Sequence, residues 1–186
     1  PAERAGVMAG WGGVGDRVGG AGGGDWRMVR LVGSGPCLTH VQEASEMLSG
    51  RGVRTEIWSV PSYGELRRAG LAAERATRLD PQNPQSAFVT ECFGDEMPTV
   101  AASDYIAAVP EMIQRWVGGR YVVLGTDGYG RSDTRDSLRR FFEIDTASIV
   151  VAALSALEQD GLLDAGTTTA AAKELGVAST RYDKTE

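Results

Sequence analysis

The sequence is poor in the side chains that most often carry chemistry, with 2 cysteines and 1 histidine among 186 residues. Cys37 and Cys92 are far apart and in no metal-ligand spacing, which sets aside a disulfide framework and a zinc site in favour of two reduced, mostly buried thiols. His40 stands beside Thr39 and Gln42 without the partners of a metal centre or catalytic triad, so a surface or capping role is expected of it. No run has the length and apolarity of a membrane span, and the start lacks the basic region and apolar core of a secretory signal. A cytoplasmic protein fits. There is also no dense Lys/Arg run, and the net charge of −6 argues against nucleic acid as a partner.

What is present begins with glycine. Ala5 to Gly24 contains ten glycines and ends in GGAGGG, so residues 1–27 read as a Gly-rich lead-in and linker, with Val7 to Trp11 as a short ordered segment. Residues 28–186 then form one domain, long enough to bury a core without disulfides or metals. The chain opens at Pro1 rather than Met, which suggests a fragment, a processed product or a subunit of something larger.

Strand and helix signals alternate through that domain. Met28 to Val32 reads as a strand, Gly33-Ser34-Gly35 as a turn, and Cys37 to Ser49 as a helix; GSG lacks the full dinucleotide fingerprint and the P-loop lysine, so phosphate binding there is not expected. Thr55 to Val60 is a second strand. Ser62 and Glu65 have capping-box spacing and open a helix through about Leu79. One face of that helix carries Arg67, Arg68, Arg75 and Arg78, which is either a solvated face or a docking surface for an acidic partner. Ala87 to Thr90 reads as the third strand and Glu91 to Thr99 as a loop whose Asp95 and Glu96 are solvated charges or ligands. Ser103-Asp104 is expected to start a helix to about Trp116, bent near Pro110. Asp145 caps a helix through Gln159, and Thr167 to Leu175 is a last helix. The alternation predicts an α/β fold, a mostly parallel sheet with helices on both faces.

The stretch YVVLGTDGYGRSDTRDSLRR, Tyr121 to Arg140, organises the rest. A short buried strand leads through a Gly-rich turn to a helix capped by Asp133 or Thr134. Asp127, Arg131, Ser132, Asp133 and Arg135 thus fall at a strand's C-terminal end and a helix N-terminus, where open α/β sheets expose ligand or partner sites. They form the candidate interdomain or substrate-access loop. The competing reading is structural, with Asp133 a cap and the arginines paired to nearby carboxylates.

GTDGYGRSDTRDSLRRFFEID followed by IVVAALSALEQDG resembles the C-terminal region of the homodimeric pyruvate dehydrogenase decarboxylase component. VRLVGSGPCLTHVQEASEML, EIWSVPSYGELRRAGLAAERATRL and VAASDYIAAVPEMIQRWVGGRYVVLG resemble it too. The resemblance implies a transketolase C-terminal fold, a three-layer mixed sheet of about five strands flanked by helices, with one edge antiparallel. It implies thiamine diphosphate and magnesium in the complete enzyme, bound by domains absent from this chain. It further implies a two-fold dimer, thiamine-binding domains or subunits as partners, and a lipoyl-bearing acyltransferase or carrier protein as acyl acceptor. Trp11, Trp58, Tyr63 and Trp116 are either oligomer surface or internal. The GDG…N magnesium pattern is missing, because Asp127-Gly128 leads into a helix with Arg139 and Arg140 where an Asn is needed. No catalytic, cofactor-binding or metal residue is therefore assigned. The expected role is dimer support and active-site access. The alternatives are a piece of a split two-carbon transferase loading a carrier protein, or a non-catalytic binding domain.

Overall fold

The computed structural model describes residues 8–9 and 27–177. Its centre is β2 (Met28–Gly33), whose side chains alternate between two apolar cores. Val29 and Leu31, both fully buried, face one core, and Val32 faces the other. The first core is closed by α1 (Cys37–Ser49) and α6 (Thr146–Gln159), with Val41, Ala44 and Leu48 of α1 meeting Ile149, Val150, Ala153, Leu154 and Leu157 of α6. The second lies under α2 (Tyr63–Leu79) and α3 (Phe88–Phe93), where Tyr63, Leu66, Val89 and Phe93 pack with Ile113 and Trp116. Helices therefore cover both faces, as α/β alternation requires.

Five strands form the sheet in the order β1-β3-β2-β4-β5. β3 (Arg54–Ser59), β4 (Thr99–Ala102) and β5 (Tyr121–Leu124) run parallel with β2, and β1 (Met8–Ala9) pairs antiparallel at the outer edge of β3 with Met8 opposite Ser59. Both the mostly parallel sheet and its antiparallel edge agree with expectation. Apart from Met8–Ala9 and Arg27, the glycine-rich lead-in lies outside the described residues, and so does Trp11.

Three segments correct the sequence reading. Ala87 to Thr90 is no strand: α3 starts at Phe88, and its buried residues Val89 and Phe93 are four apart, the spacing of a helix. The missing strand is β4, buried at every position; the sequence reading put Thr99 at the end of a loop and assigned Val100 to Ala102 to no element, two of the four residues being alanines of low strand propensity. The long helix expected from Ser103 to Trp116 is also absent. That stretch holds only α4 (Ala108–Glu111) and a 3₁₀ turn at Gln114–Trp116.

The last elements are α5 (Arg135–Phe141), which follows β5, and α7 (Thr167–Leu175). α7 has no cap of its own, and Glu158 of α6 supplies one: Oε1 accepts from Gly166 N at 2.8 Å and Oε2 from Thr168 N at 2.8 Å. Hydrogen bonding from Thr168 and then from the Gly166 N–H holds the Glu158 carboxyl below its ordinary value of 4.5. A lowered folded value means that the stabilisation is fully present above the unfolded value and is lost as pH falls through the folded one. Glu158→Gln puts an amide donor against a backbone donor. It is expected to lower the melting temperature at pH 7, with the gap to the parent closing below about pH 4. A pH-independent gap in thermal melts would show that the charge is irrelevant.

Candidate functional site

Two loops at the C-terminal ends of β4 and β5 are stitched into one platform. Thr126 N donates to Tyr105 O at 2.9 Å, Thr126 Oγ1 donates to Asp104 O at 2.9 Å, and Asp127 Oδ1 accepts from Ala107 N at 2.9 Å. Gly125 is the point of closest approach, since a Cβ there would stand 2.5 Å from Ala107 N and 2.7 Å from Ala107 Cα. Beyond it the chain is exposed from Asp127 through Ser137, with Gly128 at φ 108° turning it outward.

Within that exposed run the five candidate residues separate by role. Asp127 is a brace, engaged by Ala107. Arg131 lays its guanidinium 4.4 Å from the centre of the Phe141 ring, a cation–π contact back onto α5. Asp133 Oδ1 accepts from Thr134 N at 2.7 Å, while Thr134 is the residue that caps α5, its Oγ1 accepting from Ser137 N at 3.3 Å. Ser132 and Arg135 face solvent. The carboxylate partners expected for the arginines are not what holds Arg131, which uses an aromatic face instead. Tyr129 within the run is 76% exposed, and Tyr105 and Ile106 on the adjoining loop are 59% and 53% exposed. The last two escaped sequence reasoning because the helix expected over them does not form.

The strand order reverses between β2 and β4, which is where open α/β sheets have their crevice. Here the crevice is filled from within. Ser34 Oγ donates to Ser103 Oγ at 2.7 Å, both side chains buried, and a Cβ on Gly35 would meet Asp104 Oδ1 at 3.1 Å. An in-chain carboxylate beside the GSG turn works against an anionic ligand there. Burial, with Asp104 adding to it, pushes the Cys37 thiol up to about 11, so it stays protonated and is a poor nucleophile near neutrality. Burial likewise raises the Cys92 thiol and the Tyr63 and Tyr121 phenols. His40 ties two helices together: its Nδ1 lies 3.0 Å from Thr146 Oγ1, which donates to Glu43 Oε2 at 2.5 Å. That Thr146 bond is the first cause of a lowered Glu43 carboxyl value.

One polar residue was missed altogether. Arg30 sits in the middle of β2 and is 1% exposed. Its NH1 and NH2 donate to Asp95 Oδ1 and Oδ2 at 3.1 and 2.9 Å, its Nε and NH2 donate to Glu56 Oε2 at 3.3 and 3.1 Å, and its guanidinium lies 5.1 Å from the centre of the Phe93 ring. The signal was a lone charge inside an apolar strand, MVRLVG, which demands a buried partner. Asp95, expected as a solvated loop charge or a ligand, instead engages this guanidinium with both carboxylate oxygens while its side chain stays 55% exposed. The other aromatic expectation also narrows, because Tyr63 and Trp116 are 2% and 8% exposed and Trp58 packs edge-on to Phe93 at 5.0 Å. Tyr63 and Trp116 are core, the internal alternative, and Trp58 is partly buried against them.

Residues 22–145 match the transketolase-like TK C-terminal domain. The chain belongs to that family. This transketolase-like C-terminal domain is 49% identical over 137 residues to the pyruvate dehydrogenase E1 component of Pseudomonas aeruginosa, covering 72% of the chain and 16% of that protein. It is 41% identical over 151 residues to that of Mycolicibacterium smegmatis, 80% of the chain and 16% of the relative, and 42% identical over 139 residues to that of Escherichia coli, 73% and 16%. The chain therefore spans 16% of the length of these curated relatives. Among solved structures, a transketolase from Leishmania mexicana superposes with a TM-score of 0.50 at 18% identity, covering 73% of the chain and 17% of that protein, which is agreement in fold. No helix among the described residues is long and apolar enough to cross a membrane.

Proposed function

We propose that this domain is the C-terminal part of a thiamine-diphosphate-dependent enzyme of the pyruvate dehydrogenase E1 type. That enzyme would decarboxylate a 2-oxo acid and pass the acyl unit to a lipoyl group. The observation that carries the reading is 41% to 49% identity to E1 components across 72% to 80% of the chain. The role of this domain is assembly, including the enzyme's homodimer, and control of access to the active site. Its own residues do not fit the cofactor. Of the two Asp-Gly pairs, Asp127 of the first is bonded to a backbone N–H and Asp160 of the second is paired with Arg120, and no group of three or more His, Cys, Asp or Glu side chains gathers among the described residues. No chemical step is assigned to this domain.

In this reading the platform after β5 docks against the thiamine-binding domains near the active-site entrance, with Arg131 and Arg135 making charge-assisted contacts to carboxylates there. The double variant Arg131→Ala, Arg135→Ala tests it. In this domain the substitutions remove only an exposed cation–π contact, worth about 0.5 to 1 kcal/mol, so the domain's melting temperature is expected to fall by no more than about 2 to 4 °C. In the complete enzyme, given a 2-oxo acid, thiamine diphosphate and magnesium, turnover or dimer affinity should drop about tenfold or more. A complete enzyme that releases no carbon dioxide from any 2-oxo acid overturns the function. An active double variant whose domain has lost several kcal/mol of stability overturns the docking role alone.

A further inference from the structure

The outer face of α2 concentrates positive charge on an acidic chain. At 100° per residue Arg67, Arg68, Arg75 and Arg78 fall within one third of the helix circumference, together with half-buried Leu71 and with Leu79, which is 67% exposed. All four arginines are exposed. Arg68 is paired with Glu65 within the helix, and among the described residues no ion pair engages Arg67, Arg75 or Arg78. Three guanidinium groups with no carboxylate partner among the described residues stand out on a protein whose net charge is −6.

The stripe is also held still. Gly70 lies on the opposite face so close to Trp116 that a Cβ would come within 2.6 Å of the ring, Tyr63 and Leu66 are buried beneath the helix, and Ser62 Oγ caps its start by accepting from Glu65 N at 3.2 Å. Arg115 extends the basic surface from the neighbouring turn, where it pairs with Glu74 at 3.0 Å and lies 5.3 Å from the centre of the Trp116 ring. Side chains projecting from a fixed helix lose less freedom on binding than the same side chains on a loop.

We infer that the outer face of α2 is a docking surface for an acidic protein partner, one that presents carboxylates along a helix and an apolar contact for Leu79. The length of the stripe favours this occupant over the other polyanions. Arg67 to Arg78 spans about 17 Å of helix, the size of a protein–protein contact patch. A nucleic acid duplex or an anionic membrane is an extended polyanion and would bring its charge against the acidic remainder of the surface. Arginine, with its planar fork, suits paired carboxylates, and the adjoining leucines supply the apolar component that a partner helix with mixed character needs. The inference stands independently of the E1 reading, because it rests on charge and geometry alone.

The test uses the full chain and a fluorescein-labelled helical peptide with glutamates spaced to line one face and a leucine at its end. Binding is followed by anisotropy at about 50 mM salt. The charge-reversal variant Arg75→Glu, Arg78→Glu is expected to weaken binding about tenfold or more, while Arg140→Glu, Lys173→Glu, which changes net charge equally on other helices, leaves it within about twofold. Leu79→Ser should weaken it further than salt screening explains. Equal losses for the two charge reversals would mean that only net charge matters, and the inference fails. It fails too if a duplex DNA of similar length or phosphatidylglycerol vesicles bind the parent more tightly than the peptide does. Circular dichroism of both variants checks that the helix is retained, and the single substitution Arg67→Gln, which leaves the Ser62 cap bond to Glu65 N in place, provides the same reading if the double variant unfolds.

Discussion

Replacing Arg30 with alanine is expected to lower the unfolding free energy by about 3 kcal/mol and the melting temperature by about 6 to 12 °C. The side chain is fully enclosed, and its removal takes away a bidentate bond to Asp95, two contacts to Glu56 and the packing of the guanidinium on Phe93. Breaking a buried pair by removing one partner costs about 3 to 5 kcal/mol when the other charge is stranded. Here the carboxylates are not fully stranded: the Glu56 and Asp95 side chains are 25% and 55% exposed and regain part of their hydration, which puts the expected loss at the lower end. Arg30→Met keeps the aliphatic stem against Phe93 and should recover about half of the loss. Urea denaturation measures both. A loss below about 1 kcal/mol for the alanine variant would mean that water replaces the guanidinium and that the network is not a structural clamp.

Gly125→Ala is the second large effect, expected at about 2 to 3 kcal/mol. Every nearest neighbour of the added methyl is backbone, with Ala107 N at 2.5 Å, Ala107 Cα at 2.7 Å and Tyr105 O at 3.0 Å, so no flexible side chain can move aside. The two loops must separate, and the bond from Thr126 N to Tyr105 O and that from Ala107 N to Asp127 Oδ1 go with them. Amide exchange resolves the event locally: protection at Ala107 and Thr126 should collapse while β2 retains its own. If both amides remain protected in a variant of unchanged stability, the loops after β4 and β5 are not one unit, and the platform assigned to docking loses its rigidity.

The fold was largely legible where local pattern and burial agree. β2, β3 and β5 are short runs rich in β-branched residues, and α1, α2, α6 and α7 each show an apolar stripe or a cap, with Ser62 and Asp145 bonding as their spacing predicts. Tertiary context decided the rest. Thr99–Ala102 is a strand because it lies between β2 and β5 in the sheet, and nothing in TVAA announces that. Phe88 to Phe93 looks like a strand over any four of its residues and like a helix only across its whole length. In the candidate loop, the sequence located the exposed run correctly and named its residues, but the division of labour depends on contacts distant in sequence: Asp127 with Ala107, and Arg131 with Phe141. The exposed Tyr105 and Ile106 were hidden by a helix that does not form.

The two free cysteines lie on opposite sides of the sheet, Cys37 buried in the core beneath α1 and α6, and Cys92 half-buried against the core beneath α2 and α3. A thiol-labelling reagent therefore reads two clocks in one molecule. Cys92 on a six-residue helix is modified at the rate of local fraying, whereas Cys37, enclosed and protonated, is reached only through openings that dissolve its core. The ratio of the two rates measures whether the layers on either side of the sheet come apart together or one at a time, with no probe added to the chain.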